Sequence, residues 1–385
     1  AHHLKKLQET EVRKVLVLLL LMGVVAATQS EVKVYMDQML EQIFVLKPFI
    51  ASDASFEDPD NSAQISAALT QMAQLSGKIK HEEMISKSGF AVSGAALQQQ
   101  LEEVVSVFDN GNKGYALWTL RSTLGVCMAC HTQLPAVSTR FTAMNADQVL
   151  ANPFEEAEFL FVIRNFDAAM PLYSKAITGY PGDEVDISDV EQAIYRQLYY
   201  YLRVARDPLG LAVALQDGAA NTQLPARLRE QMERLRAAAL RAQDRVYPQF
   251  TQSQTAEVRQ YAETMMNEEL VGDVSLDSPE AAIAALKLSS VLYEYLNAHP
   301  DTPLKADILY WLSFCERRYQ SMQSLPDLYL RQCVLEHPAS PVANQCLADY
   351  VDSVTLAFTG SGGTHIPDDV MEELNRMRAL VKEQQ

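Results

Sequence analysis

Three neighbouring residues, Cys127, Cys130 and His131, have the types and the spacing that best support chemistry in this 385-residue chain. They occur in the run CMACH, which puts the two thiols three residues apart and an imidazole directly after the second one. Thiols at this spacing can form thioether bonds with the two vinyl groups of one porphyrin, and the imidazole can then ligate the iron. The spacing therefore predicts one covalently bound haem c, with His131 as the proximal iron ligand.

Other chemistries for this pair of cysteines fit the sequence less well. A thioredoxin-like redox pair would follow a strand in a mixed sheet, and the surrounding sequence predicts no strand. A structural zinc site would need a second pair of ligands, whereas the remaining Cys and His residues are far away in the sequence. The sequence also contains no nucleophile elbow, Walker loop or paired-carboxylate motif. We therefore expect an electron carrier rather than an enzyme, with no catalytic residues.

The elements that position this motif are expected to be helices. Gly (15) and Pro (16) are scarce for the length, and hydrophobic residues make up 48% of the chain, so the composition favours an all-α fold with almost no sheet. Apolar residues recur at helical spacing in four stretches before Pro135, and the connections between them are short. These stretches cover residues 32–50, 61–80, 95–108 and 113–134.

Four such helices predict an up-down four-helix bundle over residues 31–138, with the CMACH motif at the end of the fourth helix. Phe108, Trp118 and Leu124 are expected in its core, with contact to the haem as the alternative. A motif that closes the fourth helix, in the run from Leu124 to His131, resembles the cytochrome c prime family and its Met-ligated relatives. The resemblance covers about residues 31–135. One departure is that Thr132 and Gln133 follow the histidine where the family often has a basic residue just downstream.

The resemblance implies that the first helix lines the opposite face of the haem. It puts Met39 at the distal position, where a thioether would be the second iron ligand, and Met36 one turn earlier. An apolar residue there would instead leave an open iron site for a diatomic gas. His81 is a weaker candidate ligand from the loop after the second helix. Met36, Met39 and Met72 could also be plain core residues, since Met packs adaptably.

The chain after the bundle has a different character. Residues 157–181 resemble one tetratricopeptide repeat, with Ala169, Tyr173, Ala176 and Pro181 at the pattern's small, aromatic, small and terminating positions. More degenerate helical segments follow and end in Pro-containing turns, which predicts an α-solenoid of helical hairpins over residues 139–359. Residues 360–385 contain a Gly-rich turn and a final amphipathic helix that would cap the stack. The later segments cover residues 187–205, 209–242, 279–299, 304–324, 326–337 and 341–358.

Three further cysteines lie in this part of the chain. Cys333 and Cys346 flank a predicted turn almost symmetrically, so a helical hairpin would bring them to the same height and allow a disulfide. Cys315 lies on the apolar face of a predicted helix, and we expect a buried thiol there.

The N-terminal 30 residues predict export. Residues 15–27 form an apolar run that follows Arg13 and Lys14 and ends near small residues, which is typical of a secretory signal. The run would span about 20 Å as a helix, too short for a bilayer core, although a retained anchor is the alternative. The polar stretch before it lacks an initiator Met and is interpreted as a tag or an early start, with the natural start at Val12. Export predicts a periplasmic protein.

The overall charge limits the partners. A formal net charge of −17 works against binding to nucleic acid or to anionic lipid, because both require a basic face. We expect a redox partner protein that docks on the helical repeats. Two other functions stay open at this stage: a gas-binding sensor or carrier with five-coordinate iron, and an assembly scaffold with a structural haem.

Overall fold

The structure is a computed structural model that describes residues 31–50, 52–86, 89–133, 152–182, 185–244, 246–270, 278–317 and 325–383. These residues are predominantly helical, which confirms the all-α prediction. Strands within these ranges are limited to one antiparallel pair, Thr359–Gly360 with Gly363–Thr364. The segment 1–30, on which the prediction of export depends, lies outside the described residues. None of the described helices has the length and hydropathy to cross a bilayer.

The described residues between positions 31 and 133, here called the first segment, form four long helices and two short ones. Consecutive long helices pack against each other, so that α1 contacts α3, α3 contacts α5 and α5 contacts α6. A 3₁₀ turn, Pro59–Asn61, precedes α3. The helices are α1 (Glu31–Ile50), α2 (Asp53–Glu57), α3 (Ser62–His81), α4 (Glu83–Ser86), α5 (Ala91–Asp109) and α6 (Lys113–His131).

Local side chains and turns explain where these helices begin. The side chain of Ser52 accepts a hydrogen bond from the backbone N–H of Ser55 and caps α2. Gly111 has a φ of +86°, which a glycine adopts without strain, in the sharp turn between α5 and α6. Asn112 then accepts a hydrogen bond from the backbone of Tyr115 and caps α6. The four long helices begin and end within a few residues of their predicted bounds.

Apolar side chains from all four long helices form the core of the first segment. Phe56 and Phe108 meet edge to face, with ring centroids 5.4 Å apart. Arg121, near the middle of α6, donates to the carbonyl oxygen of Ile50 at the end of α1, whereas His131 at the end of α6 shares a cleft with the first turn of α1. The helices α1 and α6 therefore run antiparallel. The start of α1 is therefore at the same end of the segment as the end of α6.

One core prediction is wrong. Trp118 is 63% exposed and stacks on Tyr115, with ring centroids 5.6 Å apart. Both rings lie on the solvent face of α6, because the neighbouring Ala116, Leu117 and Thr119 are the residues that this helix buries. Phe108 is buried, as predicted.

Residues 152–383, here called the second segment, form a succession of helices that mostly pack on their neighbours in sequence. π-helical turns, Tyr200–Val204 and Met265–Leu270, extend α9 and α12. The helices are α7 (Pro153–Val162), α8 (Phe166–Gly179), α9 (Ile187–Tyr199), α10 (Pro208–Ala220), α11 (Ala226–Ala242), α12 (Thr255–Thr264), α13 (Pro279–Ala298), α14 (Lys305–Arg317), α15 (Leu325–Glu336), α16 (Ala343–Ala357) and α17 (Asp368–Glu383).

Two features of this segment differ from the sequence prediction. The predicted stretch 209–242 is divided into α10 and α11 by a turn in which the Asn221 side chain donates to three backbone carbonyls, of Ile177, Thr178 and Tyr180. The helix α12 was not predicted, because Val258 and Ala262 are its only buried residues and its remaining positions are polar or partly exposed.

The structure joins Cys333 on α15 to Cys346 on α16 by a disulfide, with their Cα atoms 6.3 Å apart. Cys315 is a fully buried thiol, as predicted. A buried ion pair, Arg203 with Glu316, lies in the core of the second segment, and both side chains are completely inaccessible to solvent.

The two segments contact each other at the end of α6. Met128 and Ala129, inside the CMACH motif, belong to the hydrophobic core of the second segment rather than the first. α6 also packs on α7, and α5 packs on α15. The motif is thus positioned where the two cores meet.

Candidate cofactor-binding site

The last turn of α6 presents Cys127, Cys130 and His131. The helix ends directly after them, where the backbone N–H of Thr132 donates to the carbonyl of Met128. The buried side chain of Gln133 donates to the hydroxyl of Ser93 on α5, at 2.9 Å. This buried hydrogen bond therefore fixes the end of α6, together with the motif, to α5.

The three motif residues line a cleft of about 300 Å³, here called the motif cleft. Helices α1, α3, α5 and α6 all contribute to its walls, and the turn between α7 and α8 closes part of it. Most of the lining side chains are apolar, which favours an apolar ligand. They include Ile43, Ile79, Leu97, Val126 and Val162.

His131 is oriented by the second segment. Its Nδ1 atom lies 2.5 Å from the backbone carbonyl oxygen of Val162. A carbonyl oxygen only accepts hydrogen bonds, so Nδ1 carries the proton and the lone pair is on Nε2. This is the tautomer that a histidine needs in order to bind a metal through Nε2, with its other nitrogen held by a backbone carbonyl.

The environment also keeps the imidazole neutral. Burial and, to a lesser extent, the positive charge of Arg164 lower the pKa of His131 to about 4, although the hydrogen bond to Val162 opposes the change. The ring is therefore uncharged at neutral pH. A neutral imidazole is the form that coordinates iron.

The two cysteines are free thiols in this cleft. Burial raises the pKa of Cys127 and of Cys130 to about 12. A redox-active CxxC pair has a lowered thiol pKa because the thiolate is the nucleophile. The pair thus lacks the electrostatic environment of a thiol–disulfide exchange site.

The residues of the motif cleft fit a haem. The cleft holds two thiols and one imidazole on a single helical turn, with a free Nε2 lone pair, among mostly apolar side chains. Thioether bonds would use the two sulfurs, and an iron ligand would use the nitrogen. In the described part of the chain, no group of three or more His, Cys, Asp and Glu side chains is arranged to hold a metal ion.

The structure brings several predicted residues to this cleft. Met39 is 5% exposed and lines it, together with Met36 from the same helix and Met72 from α3. Since α1 begins where α6 ends, Met36 and Met39 share one cleft with His131. His81 is exposed and does not line it.

Sequence reasoning missed two contributors, the carbonyl of Val162 and the side chain of Arg164. Both come from the turn between α7 and α8, about 30 residues beyond the motif. A backbone carbonyl leaves no signature in a sequence. Arg164 follows no ligand pattern, so only the fold reveals that it belongs to the cleft.

Comparison of the chain with models of protein families, with curated proteins and with solved structures finds no match.

Proposed function

We propose that this chain is an exported c-type cytochrome that carries one haem and transfers electrons. Cys127 and Cys130 would hold the haem through thioether bonds, and His131 would ligate its iron. The observation that carries the proposal is the shared position of these three side chains in one apolar cleft, with the Nε2 lone pair of His131 available.

The haem would supply one-electron chemistry at its iron, and the residues of the chain would bind it, orient it and exclude water. The carbonyl of Val162 holds the His131 ring in one orientation. Apolar walls from four helices keep water from the ring and favour a low dielectric around it. These are the means by which a protein sets the potential of a haem iron.

Met39 is our proposed second iron ligand. It is buried and lines the motif cleft on α1, as a distal ligand would. A Met–His pair raises the potential of a haem iron and suits an electron carrier. If the iron instead keeps an open position, the ferrous protein will bind carbon monoxide, and the same site would serve as a gas sensor or carrier.

The second segment is proposed to dock a redox partner. Its successive packed helices suit an α-solenoid, which offers a long surface for a partner. The net charge of −17 favours a partner with a basic surface. A scaffold with a structural haem would be the alternative role of these helices, and the N-terminal residues 1–30 would direct export.

Expression with a cytochrome c maturation system tests the proposal. We expect purified protein to keep one haem after denaturation and to show a reversible one-electron change in its absorption spectrum. The double substitution Cys127→Ser with Cys130→Ser should abolish the covalent haem. Cys315→Ser, a change at another buried thiol of the same chain, is the matched control and should retain it.

Two results would contradict the proposal. Wild-type protein without covalent haem would refute attachment at this motif. Haem that survives denaturation in the double variant would show that the motif is not the attachment site.

A further inference from the structure

Arg164 lies at the turn between α7 and α8, beside the motif. Two backbone hydrogen bonds close this turn, from the N–H of Arg164 to Phe161 at 3.0 Å and from the N–H of Asn165 to Leu160 at 2.8 Å. The same turn provides the Val162 carbonyl that binds His131. The backbone of the turn therefore fixes Arg164 relative to the imidazole.

The backbone at Arg164 is in the left-handed region, with a φ of +63°. Glycine adopts this conformation without cost, whereas any residue with a Cβ is disfavoured there. An arginine at such a position is a reason to look for a use of its side chain. Helix α7 could end equally well at a glycine, so the turn itself does not require the arginine.

The charges on the motif cleft differ from those of the whole chain. Among the described residues that line it, the permanently charged ones are Arg164 and Lys33, and both are cations. The chain as a whole has a net charge of −17. Lys33 is 57% exposed and lies 3.9 Å from the carboxylate of Asp37, so its charge is both screened by solvent and partly compensated. Arg164 is partly buried, and its charge acts on both His131 and Cys130.

We propose that Arg164 is a positioning residue of the haem site. It lies on the His131 side of the motif cleft, and its positive charge favours the reduced form of the iron. This inference rests on the proposed function. Reduction adds one electron from the partner and converts ferric to ferrous iron, which lowers the charge of the site by one. A fixed cation in a low-dielectric cleft destabilises the ferric form more than the ferrous form. The second segment thereby sets the potential of a haem attached to the first.

Substitutions at Arg164 in the full-length, haem-loaded protein test this inference. Arg164→Gln removes the charge, and Arg164→Lys keeps it. Arg164→Gly removes the charge and also relaxes the backbone. At a fixed electrode potential we expect the Gln and Gly variants to lower the ferrous-to-ferric ratio about tenfold, equivalent to about 59 mV for one electron. The Lys variant should retain most of the wild-type potential.

Two control variants separate this effect from a structural one. Arg206 has a similar left-handed backbone, with a φ of +55°, but bonds to Ser290 and Glu294 and does not line the cleft. Arg206→Gly should therefore leave the potential unchanged. Lys33→Gln removes an exposed cation from the cleft and should shift the potential much less than Arg164→Gln.

The inference is overturned if Arg164→Gln keeps the wild-type potential, or if Lys33→Gln or Arg206→Gly shifts it as much. It is also overturned if the potential of the Arg164→Lys variant falls as far as that of the Gln variant. The covalent haem content of each variant is measured in parallel. Loss of haem attachment in wild-type protein would contradict the proposed function, whereas normal attachment with an unchanged potential contradicts only the role of Arg164.

Discussion

The Nδ1 atom of His131 lies 2.5 Å from the carbonyl oxygen of Val162, which joins the end of one helical segment to the start of the next. The two residues are 31 positions apart in sequence. The orientation of the imidazole is therefore a property of both segments. A cofactor bound at His131 would respond to a change in the position of the α7–α8 turn, because the hydrogen bond fixes both the tautomer and the ring.

The substitution Met39→Ala tests the proposed second iron ligand. We expect it to convert a low-spin, six-coordinate haem to a high-spin form whose ferrous state binds carbon monoxide, because a methyl group cannot ligate iron. Absorption spectra of the oxidised, reduced and carbon monoxide-treated protein report the change. Met72→Ala is the matched control, since Met72 is a thioether on another wall of the same cleft, and it should keep the low-spin spectrum.

Two outcomes would contradict the assignment of Met39. The wild-type spectrum could persist in Met39→Ala, which would leave another ligand at the iron. Alternatively, wild-type protein could already be high-spin and bind carbon monoxide, which favours a gas-binding function.

Removal of the disulfide should destabilise the second segment. Cys333 and Cys346 are 13 residues apart, and a loop of about this length gives roughly 3 kcal/mol of stabilisation when it is closed. The double substitution Cys333→Ala with Cys346→Ala should therefore lower the free energy of unfolding by about that amount. Urea unfolding monitored by circular dichroism measures the change.

A reductant provides the internal control for this prediction. It should lower the stability of the wild-type protein and leave the Ala–Ala variant unchanged. Equal sensitivity of the two proteins to the reductant would show that the bond does not stabilise the native state.

The helices of the first segment were predictable because their apolar residues repeat at helical spacing. The start of α5 shows the limit of that signal. Glycine is typical of loops, so the sequence predicts that this helix begins at Ala95, directly after Gly94. In the structure α5 begins at Ala91. Gly94 is buried in close packing, where an added Cβ would lie 2.9 Å from the Cγ2 atom of Ile85. The glycine is explained by a neighbouring helix that the local sequence does not reveal.

The candidate site was only partly predictable for a related reason. Cys127, Cys130 and His131 are adjacent in sequence, so their spacing alone indicates their chemistry. The contributions of Val162 and Arg164 depend on a contact between distant helices. Such contacts are set by the packing of whole segments, for which a single sequence gives no direct signal.

The capping residue of α9 gives a prediction about pH. The Asp186 side chain accepts hydrogen bonds from the backbone N–H groups of Ser188 and Asp189, and the bond from Asp189 is the main cause of its lowered pKa. The folded state thus binds fewer protons than the unfolded state at acid pH, and the stabilisation exists above the unfolded pKa of about 3.8. It is lost as the pH falls through the lower folded pKa.

Asp186→Ala should therefore lower the free energy of unfolding by about 1 kcal/mol at pH 7, and the difference from wild type should shrink near pH 3. Urea titrations at the two pH values measure both effects. Asp186→Asn keeps an acceptor oxygen without a charge, so it should restore most of the stability and show no such dependence on pH. A constant difference between Asp186→Ala and wild type at both pH values would contradict the role of the charged cap.

We expect that loss of one partner of the buried pair Arg203–Glu316 destabilises the fold, whereas replacement of both by apolar residues is tolerated. Arg203 also donates to the hydroxyl of Ser289 at 2.8 Å. Glu316 accepts a hydrogen bond from the hydroxyl of Tyr293 at 2.8 Å, and the Tyr293 hydroxyl also bonds to that of Tyr329. Burial alone would lower the pKa of Arg203, and the Glu316 carboxylate outweighs this effect and raises it. Glu316→Gln removes the compensating charge in a site without solvent, so the free energy of unfolding should fall by about 3–5 kcal/mol.

Replacement of both partners separates the cost of an uncompensated charge from the value of the ion pair. Arg203→Met with Glu316→Leu should recover most of the lost stability, because apolar side chains of similar size avoid the desolvation of two ions. Glu233→Gln, which breaks the exposed pair of Glu233 and Arg236, is the control and should cost less than about 1 kcal/mol. If the double variant is no more stable than Glu316→Gln in urea unfolding, the ion pair itself rather than charge compensation holds this core together.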